Sequence, residues 1–117
     1  MKRLIFLLGL ILSTNSLAAT GTMADVTIQK LITADTRFGG CMAMLSKPIS
    51  TALANCPDSW VTFACDGSLN NSVSRAMMKW ENAKLAYALG KKALLIVDDA
   101  RKVNGYCYAD IFRLEDQ

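Results

Sequence analysis

Apolar and polar positions along the chain fall into a series of short alternating runs broken by one long helical stretch. From Val26 to Ala34, Val26, Ile28, Lys30 and Ile32 alternate with Thr27, Gln29, Leu31 and Thr33. Period two with β-branched residues predicts a strand. Asp35-Thr36-Arg37-Phe38-Gly39-Gly40 supplies turn residues, so Cys41 to Leu45 is expected to return as a second strand in a hairpin with the first. Ser46 to Ser59, with Pro48 and Pro57, reads as irregular, with a short helical turn over Ile49 to Ala54. Trp60 to Cys65 is a compact third strand ended by Asp66-Gly67.

Helix signals follow. Asn70, Asn71 or Ser72 can cap, no Gly or Pro interrupts the run to Leu89, and Gly90 sits where a left-handed C-terminal residue belongs. At 3.6 residues per turn, Val73, Ala76, Met77, Trp80, Ala83 and Tyr87 share a stripe expected to face the core. Lys84 falls within that stripe, where its chain is expected to snorkel past Tyr87 to water. Met78, Leu85 and Leu89 form a second apolar stripe, and Arg75, Lys79 and Asn82 a polar strip. A helix apolar on two sides needs a second cover, either a long loop or a neighbouring subunit. Ala93 to Val97 then reads as a buried strand ended by Asp98-Asp99, and Asn104-Gly105 leads into a last strand, Tyr106 to Leu114. Three strands, one helix and two strands make an α+β chain with the order of the OB-fold, a small five-stranded, partly open barrel.

The first residues change this picture only at the N-terminus. Lys2-Arg3, the apolar run Leu4 to Leu12, and small residues at Ser16 and Ala18 predict a signal peptide over 1–18, cleaved after Ala18 or Ala19, and a single exported domain over 19–117. Nine apolar residues span only about 13 Å as a helix, short of a bilayer core, so no stable membrane insertion is expected. Of 13 basic side chains, Lys2 and Arg3 would leave with the leader, so 11 face 10 acidic ones and the exported part is nearly neutral. Lys91-Lys92 and Arg101-Lys102 are only pairs, which argues against nucleic acid as a partner.

Four cysteines and no histidine decide much of the candidate chemistry. An even count in a small exported domain predicts two structural disulfides among Cys41, Cys56, Cys65 and Cys107. Of the three possible pairings, Cys41 with Cys56 and Cys65 with Cys107 is the expected one, a local loop and a long tie. No C-x-x-C spacing supports a redox pair or metal site, and no cofactor is implied. Without histidine there is no Ser-His-Asp or Cys-His arrangement, and Ser46, Ser68, Ser72 and Ser74 lack a base. Asp98-Asp99 and Glu115-Asp116 read as turn and tail residues. Asp98, Asp99 and Asn104 lack the spacing of a calcium loop. The expectation is a protein that binds and does not catalyse.

In layout the chain resembles the binding subunits of AB5 toxins, above all the subtilase-cytotoxin and pertussis-like type, which are short, exported, disulfide-bonded OB-folds. It is also similar to small exported proteins of Gram-negative bacteria through Trp60-Val61-Thr62-Phe63-Ala64-Cys65, Leu89-Gly90-Lys91-Lys92, and Ile96-Val97-Asp98-Asp99 followed by Asn104-Gly105-Tyr106-Cys107. The resemblance covers most of residues 26–114, and its motifs are structural, so no sugar-contacting residue is carried over. It implies a homo-oligomer in which Arg75, Lys79 and Asn82 line a central pore while Met78, Leu85 and Leu89 pack between subunits. Trp60, Tyr106 and Tyr108 are the candidate platforms for a cell-surface glycan or a receptor, an apolar ring with a polar tip being suited to both. The other expected role is a periplasmic inhibitor or immunity protein that blocks a protein partner with the Ser46–Ser59 loop.

Overall fold

The computed structural model describes residues 19–115, and the predicted signal peptide, 1–18, lies outside the described residues. Six strands, β1 (Thr20–Val26), β2 (Ile28–Thr33), β3 (Cys41–Leu45), β4 (Trp60–Thr62), β5 (Ala93–Val103) and β6 (Tyr106–Leu114), accompany one long helix, α1 (Val73–Leu89). They form a single mixed sheet in the order β1-β5-β6-β4-β3-β2. All neighbours are antiparallel except β4 and β6, which run parallel and meet at Thr62 and Tyr108. Among the described residues no helix is long and apolar enough to cross a membrane. The described residues are α+β, with one α-helix and a six-stranded mixed sheet where five strands of a partly open barrel were expected.

The sixth strand comes from a bend. The expected first strand, Val26 to Ala34, is observed as β2, and the chain before it forms β1, with only Thr27 between them. β1 pairs with β5 while β2 pairs with β3, so the two edges of the sheet are successive pieces of one chain. Asp25 takes a left-handed φ of 53° at the bend. There, Met23 lies opposite Leu95 and Val26 opposite Ala93, which leaves one extra residue on β1. Such a bulge redirects a strand. A second extra residue lies between Ile28 and Lys30. It moves Leu31 to the inner side and leaves Ile32 36% exposed, against the simple alternation expected there.

Bulges also reshape the last two strands. Asp98-Asp99 does not end β5, which continues to Val103. Asp98 pairs with Tyr108 and Lys102 with Cys107, so Asp99, Ala100 and Arg101 bulge out of the ladder. The turn chemistry of Asp98 is used locally, its carboxylate accepting from the backbone N–H of Ala100 at 2.9 Å. On β6, Ile111 pairs with Ile96 and Ala109 with Val97, leaving Asp110 as the extra residue. The expected alternation breaks at that point: Tyr108 and Ala109 are both buried, Asp110 and Ile111 both exposed. The tight Asn104-Gly105 hairpin joins the strands, with φ of 51° and 85°, a conformation this pair adopts readily.

Ser72 caps α1 by accepting from the N–H of Arg75, and Gly90 ends it at φ 63°. The helix buries Ala76, Trp80, Ala83 and Ala86. Three of the four are alanine, which lets the helix approach the sheet closely, and Trp80 fills the remaining space with its ring 5.8 Å from Phe63. This narrow contact corrects the expected core stripe: Val73, Met77 and Tyr87 are 47%, 40% and 51% exposed. Lys84 is exposed and pairs with Glu81 at 2.7 Å. Leu45, Val61, Phe63, Leu95, Val97 and Phe112 complete the core.

The disulfides join Cys41 to Cys65 and Cys56 to Cys107, not the expected Cys41 to Cys56 and Cys65 to Cys107. The sheet dictates this. Met42 pairs with Thr62 across β3 and β4, and the N–H of Phe63 donates to the carbonyl of Cys41 at 3.1 Å, which carries Cys65 beside Cys41. Cys107 lies next to Tyr108 on β6, under the loop that contains Cys56, and Lys102 on β5 donates to the carbonyl of Asn55 at 2.8 Å. Cysteine spacing carries no information about which strands become neighbours.

Candidate functional site

The two bulges on β5 and β6 and the first half of α1 surround an open groove of about 560 Å³. Its walls include Arg75, Met78, Lys79 and Asn82 from the helix and Arg101 and Tyr108 from the sheet. Asp110 and Ile111 complete the sheet side. The groove therefore carries three cations against one carboxylate.

Each charged group is placed by backbone geometry. β4 ends at Thr62, so among the described residues β6 has no strand partner on that side beyond Tyr108. The bulge at Asp110 turns two successive carbonyls the same way, and the Lys79 ammonium fills the gap, donating to Ala109 O at 2.9 Å and Asp110 O at 3.1 Å. Its third proton reaches the Tyr108 hydroxyl at 2.7 Å. The same nitrogen lies 4.4 Å from the Tyr108 ring centre. Because the hydroxyl is so much nearer, the hydrogen bond dominates over attraction to the ring face. All three donors of Lys79 are thus occupied by neutral oxygens.

Arg101 is fixed from the other bulge. Its Nε donates to Asp98 Oδ2 at 2.9 Å and its Nη2 to Asp110 Oδ1 at 3.1 Å, while its guanidinium carbon sits 4.4 Å from the Tyr108 ring centre. Partial burial works against its charge, but the hydrogen bonds and fields of Asp98 and Asp110 outweigh that and raise its pKa. The group stays cationic throughout the working pH range. Arg75, one turn before Lys79, is exposed on the groove wall, and no ion pair among the described residues engages it. Asn82 lies on the same wall, about two helical turns further along α1.

The sequence-predicted site residues are distributed unequally. Arg75, Met78, Lys79, Asn82 and Tyr108 come together in the groove. Tyr108 is only 4% exposed, so it braces Lys79 and Arg101 and does not offer its face as a platform. Tyr106 stacks edge-on against Phe38 at 5.8 Å, outside the groove. Trp60 lines a separate hollow with Met44, Pro48, Ser50, Asp58 and Ser59. Leu85 and Leu89 are 47% and 58% exposed, and Met78 67%, continuing one apolar stripe along the outer side of α1. Sequence reasoning missed Arg101 and Asp110 in the groove. The Asp98-x-x-Arg101 spacing is their one local signal, since it matches a carboxylate closing on a guanidinium three residues later.

Among the described residues no three His, Cys, Asp or Glu side chains gather as metal ligands. Comparison with known protein families, with characterised proteins and with solved structures finds no match.

Proposed function

We propose that the protein is an exported, non-catalytic binding module that holds an acidic ligand, a carboxylated or sulfated cell-surface glycan, in the groove between α1 and β6. The observation that carries this reading is Arg75, a helix guanidinium that no ion pair among the described residues engages, in one groove lining with Lys79, whose three donors are spent on the scaffold, and Arg101, which is tied to Asp98 and Asp110. A guanidinium recognises a carboxylate or sulfate through paired N–H donors. Export is supported by the two disulfides, which persist in oxidising compartments.

We also infer that the layout is a variant of the OB-fold of toxin B subunits. Support comes from β1 and β2 acting as two halves of one bent strand, from the parallel β4–β6 pair, and from the helix between β4 and β5. On this reading the Met78, Leu85 and Leu89 stripe is the contact between copies of the chain. Light scattering on the exported form is expected to show an oligomer, and a stable monomer refutes that part.

An array of carboxylated, sulfated and neutral glycans tests the ligand. Binding confined to acidic glycans and lost with Arg75→Gln is expected, and preference for neutral glycans overturns it. The second reading is an inhibitor that presents the Ser46–Ser59 loop to a protein partner. It is favoured by the Cys56–Cys107 bridge, which anchors that loop to β6. Capture of one periplasmic enzyme, dependent on the loop and indifferent to Arg75, would favour it over the first.

A further inference from the structure

The hollow around Trp60 has the opposite character to the groove. It measures about 460 Å³ and is lined by Met44, Pro48, Ser50, Asp58, Ser59 and Trp60. Met44 and Trp60 face each other across the β3–β4 pair, so thioether and indole share one side of the sheet. Asp58, an exposed member of the lining, is in a left-handed conformation, φ 55°, one that an aspartate adopts at some cost. The turn holding it is pinned. The N–H of Ile49 donates to Asp58 O at 2.9 Å, the N–H of Leu45 donates to Ser59 O at 2.8 Å, and Cys56 is bonded to Cys107.

Every side chain in this hollow with chemistry to offer can accept a hydrogen bond or a cation. The Asp58 carboxylate only accepts, the Ser50 and Ser59 hydroxyls can accept, the Met44 sulfur is a weak acceptor, and the indole face attracts positive charge. No ion pair among the described residues uses Asp58. Of the nearby lysines, Lys47 donates to Ala24 O at 3.1 Å and Lys102 to Asn55 O at 2.8 Å, while Lys30, opposite Met44 on β2, is exposed and lies outside the lining. An anion finds no lysine or arginine in the lining, and a sugar ring finds hydroxyl donors but no amide or cationic ones.

We propose that this hollow receives a guanidinium group, the side chain of an arginine presented by a protein partner, stacked on Trp60 and forked onto the Asp58 carboxylate. The planar cation satisfies both surfaces at once, which a compact ammonium does not. This site is separate from the groove, takes a ligand of opposite charge, and stands or falls independently of the glycan reading.

The two tryptophans make the test direct. Trp80 is 6% exposed in the core and Trp60 lies in the hollow, so two indole N–H signals, assigned with Trp60→Phe, report on the two places separately. Titration with Nα-acetyl-arginine amide is expected to shift the Trp60 signal and leave Trp80 still. Asp58→Asn, which keeps the shape and tolerates the left-handed backbone, is expected to weaken the response by about 10-fold or more. Trp60→Phe, followed through neighbouring backbone amides, is expected to weaken it by about 2- to 5-fold. Arg75→Gln leaves it unchanged. An equal response to Nα-acetyl-lysine amide, a response to methyl glucoside in place of arginine, a requirement for free α-amino and carboxylate groups, or full binding by Asp58→Asn each overturns the proposal.

Discussion

Replacing Lys79 with methionine keeps most of the side-chain stem and removes only the ammonium, and that ammonium closes the gap where β4 stops short of β6. Three acceptors lose their donor: Tyr108 Oη, Ala109 O and Asp110 O. Asp110 is exposed, so its carbonyl returns to water at little cost. Ala109 has no exposed surface, and its stranded carbonyl costs about 1–3 kcal/mol. The charged bond to the Tyr108 hydroxyl adds about 1.5 kcal/mol. Relief of the desolvation of a half-buried charge offsets part of this, leaving about 2 kcal/mol. In a domain of this size that lowers Tm by about 8–16 °C. Urea unfolding with both disulfides intact measures it, and a shifted midpoint at constant slope identifies a stability change. Lys84→Met is the control, because Lys84 is 45% exposed and makes only a surface pair with Glu81; its cost is expected within about 0.5 kcal/mol. If both variants cost the same small amount, Lys79 is a solvated groove lysine and the reasoning fails.

Disulfide removal should follow loop length. The Cys56–Cys107 bridge closes a separation of 51 residues and Cys41–Cys65 one of 24, so loop-closure entropy predicts losses of about 4.1 and 3.4 kcal/mol for the paired alanine variants. Non-reducing peptide mapping checks the pairing itself, and a Cys41–Cys56 peptide would refute it. Gly39→Ala should cost more than Gly90→Ala. Both positions have positive φ, worth about 1–2 kcal/mol to an alanine, but a Cβ at Gly39 would also meet Thr62 Oγ1 at 2.6 Å and Ala64 Cα at 3.0 Å, whereas Gly90 is open. Acidic-ligand binding in the groove should weaken as salt rises from low to physiological strength, by fluorescence or calorimetry, and salt-independent affinity contradicts a role for exposed Arg75.

Features set by nearby residues were legible from the chain. Cys41–Leu45, Tyr106–Leu114, the Ser72 and Gly90 caps and the Asn104-Gly105 turn depend on local dihedrals and periodicity, and they stand where expected. What escaped depends on register. The extra residues at Asp25, Asp110 and Asp99–Arg101 each shift a strand by a step or more, and no periodicity announces an insertion whose partner strand is unknown. The groove was half visible for this reason: Arg75, Lys79 and Asn82 share a helical face, but Arg101 joins them only because its strand buckles. The helix face was read in part: Ala76, Trp80 and Ala83 lie on it as expected, but Ala86 takes the place expected of Val73, Met77 and Tyr87, because small side chains determine how closely a helix can approach a sheet.

The Lys79 cap has a consequence for how the protein behaves in a crowded compartment. An unpaired strand edge next to an apolar residue such as Ile111, 46% exposed, is a template on which another chain can add a strand. A charged side chain lying along that edge blocks such growth. Lys79 occupies the carbonyls an incoming strand would need, so the residue that shapes the groove also shields this stretch of strand edge.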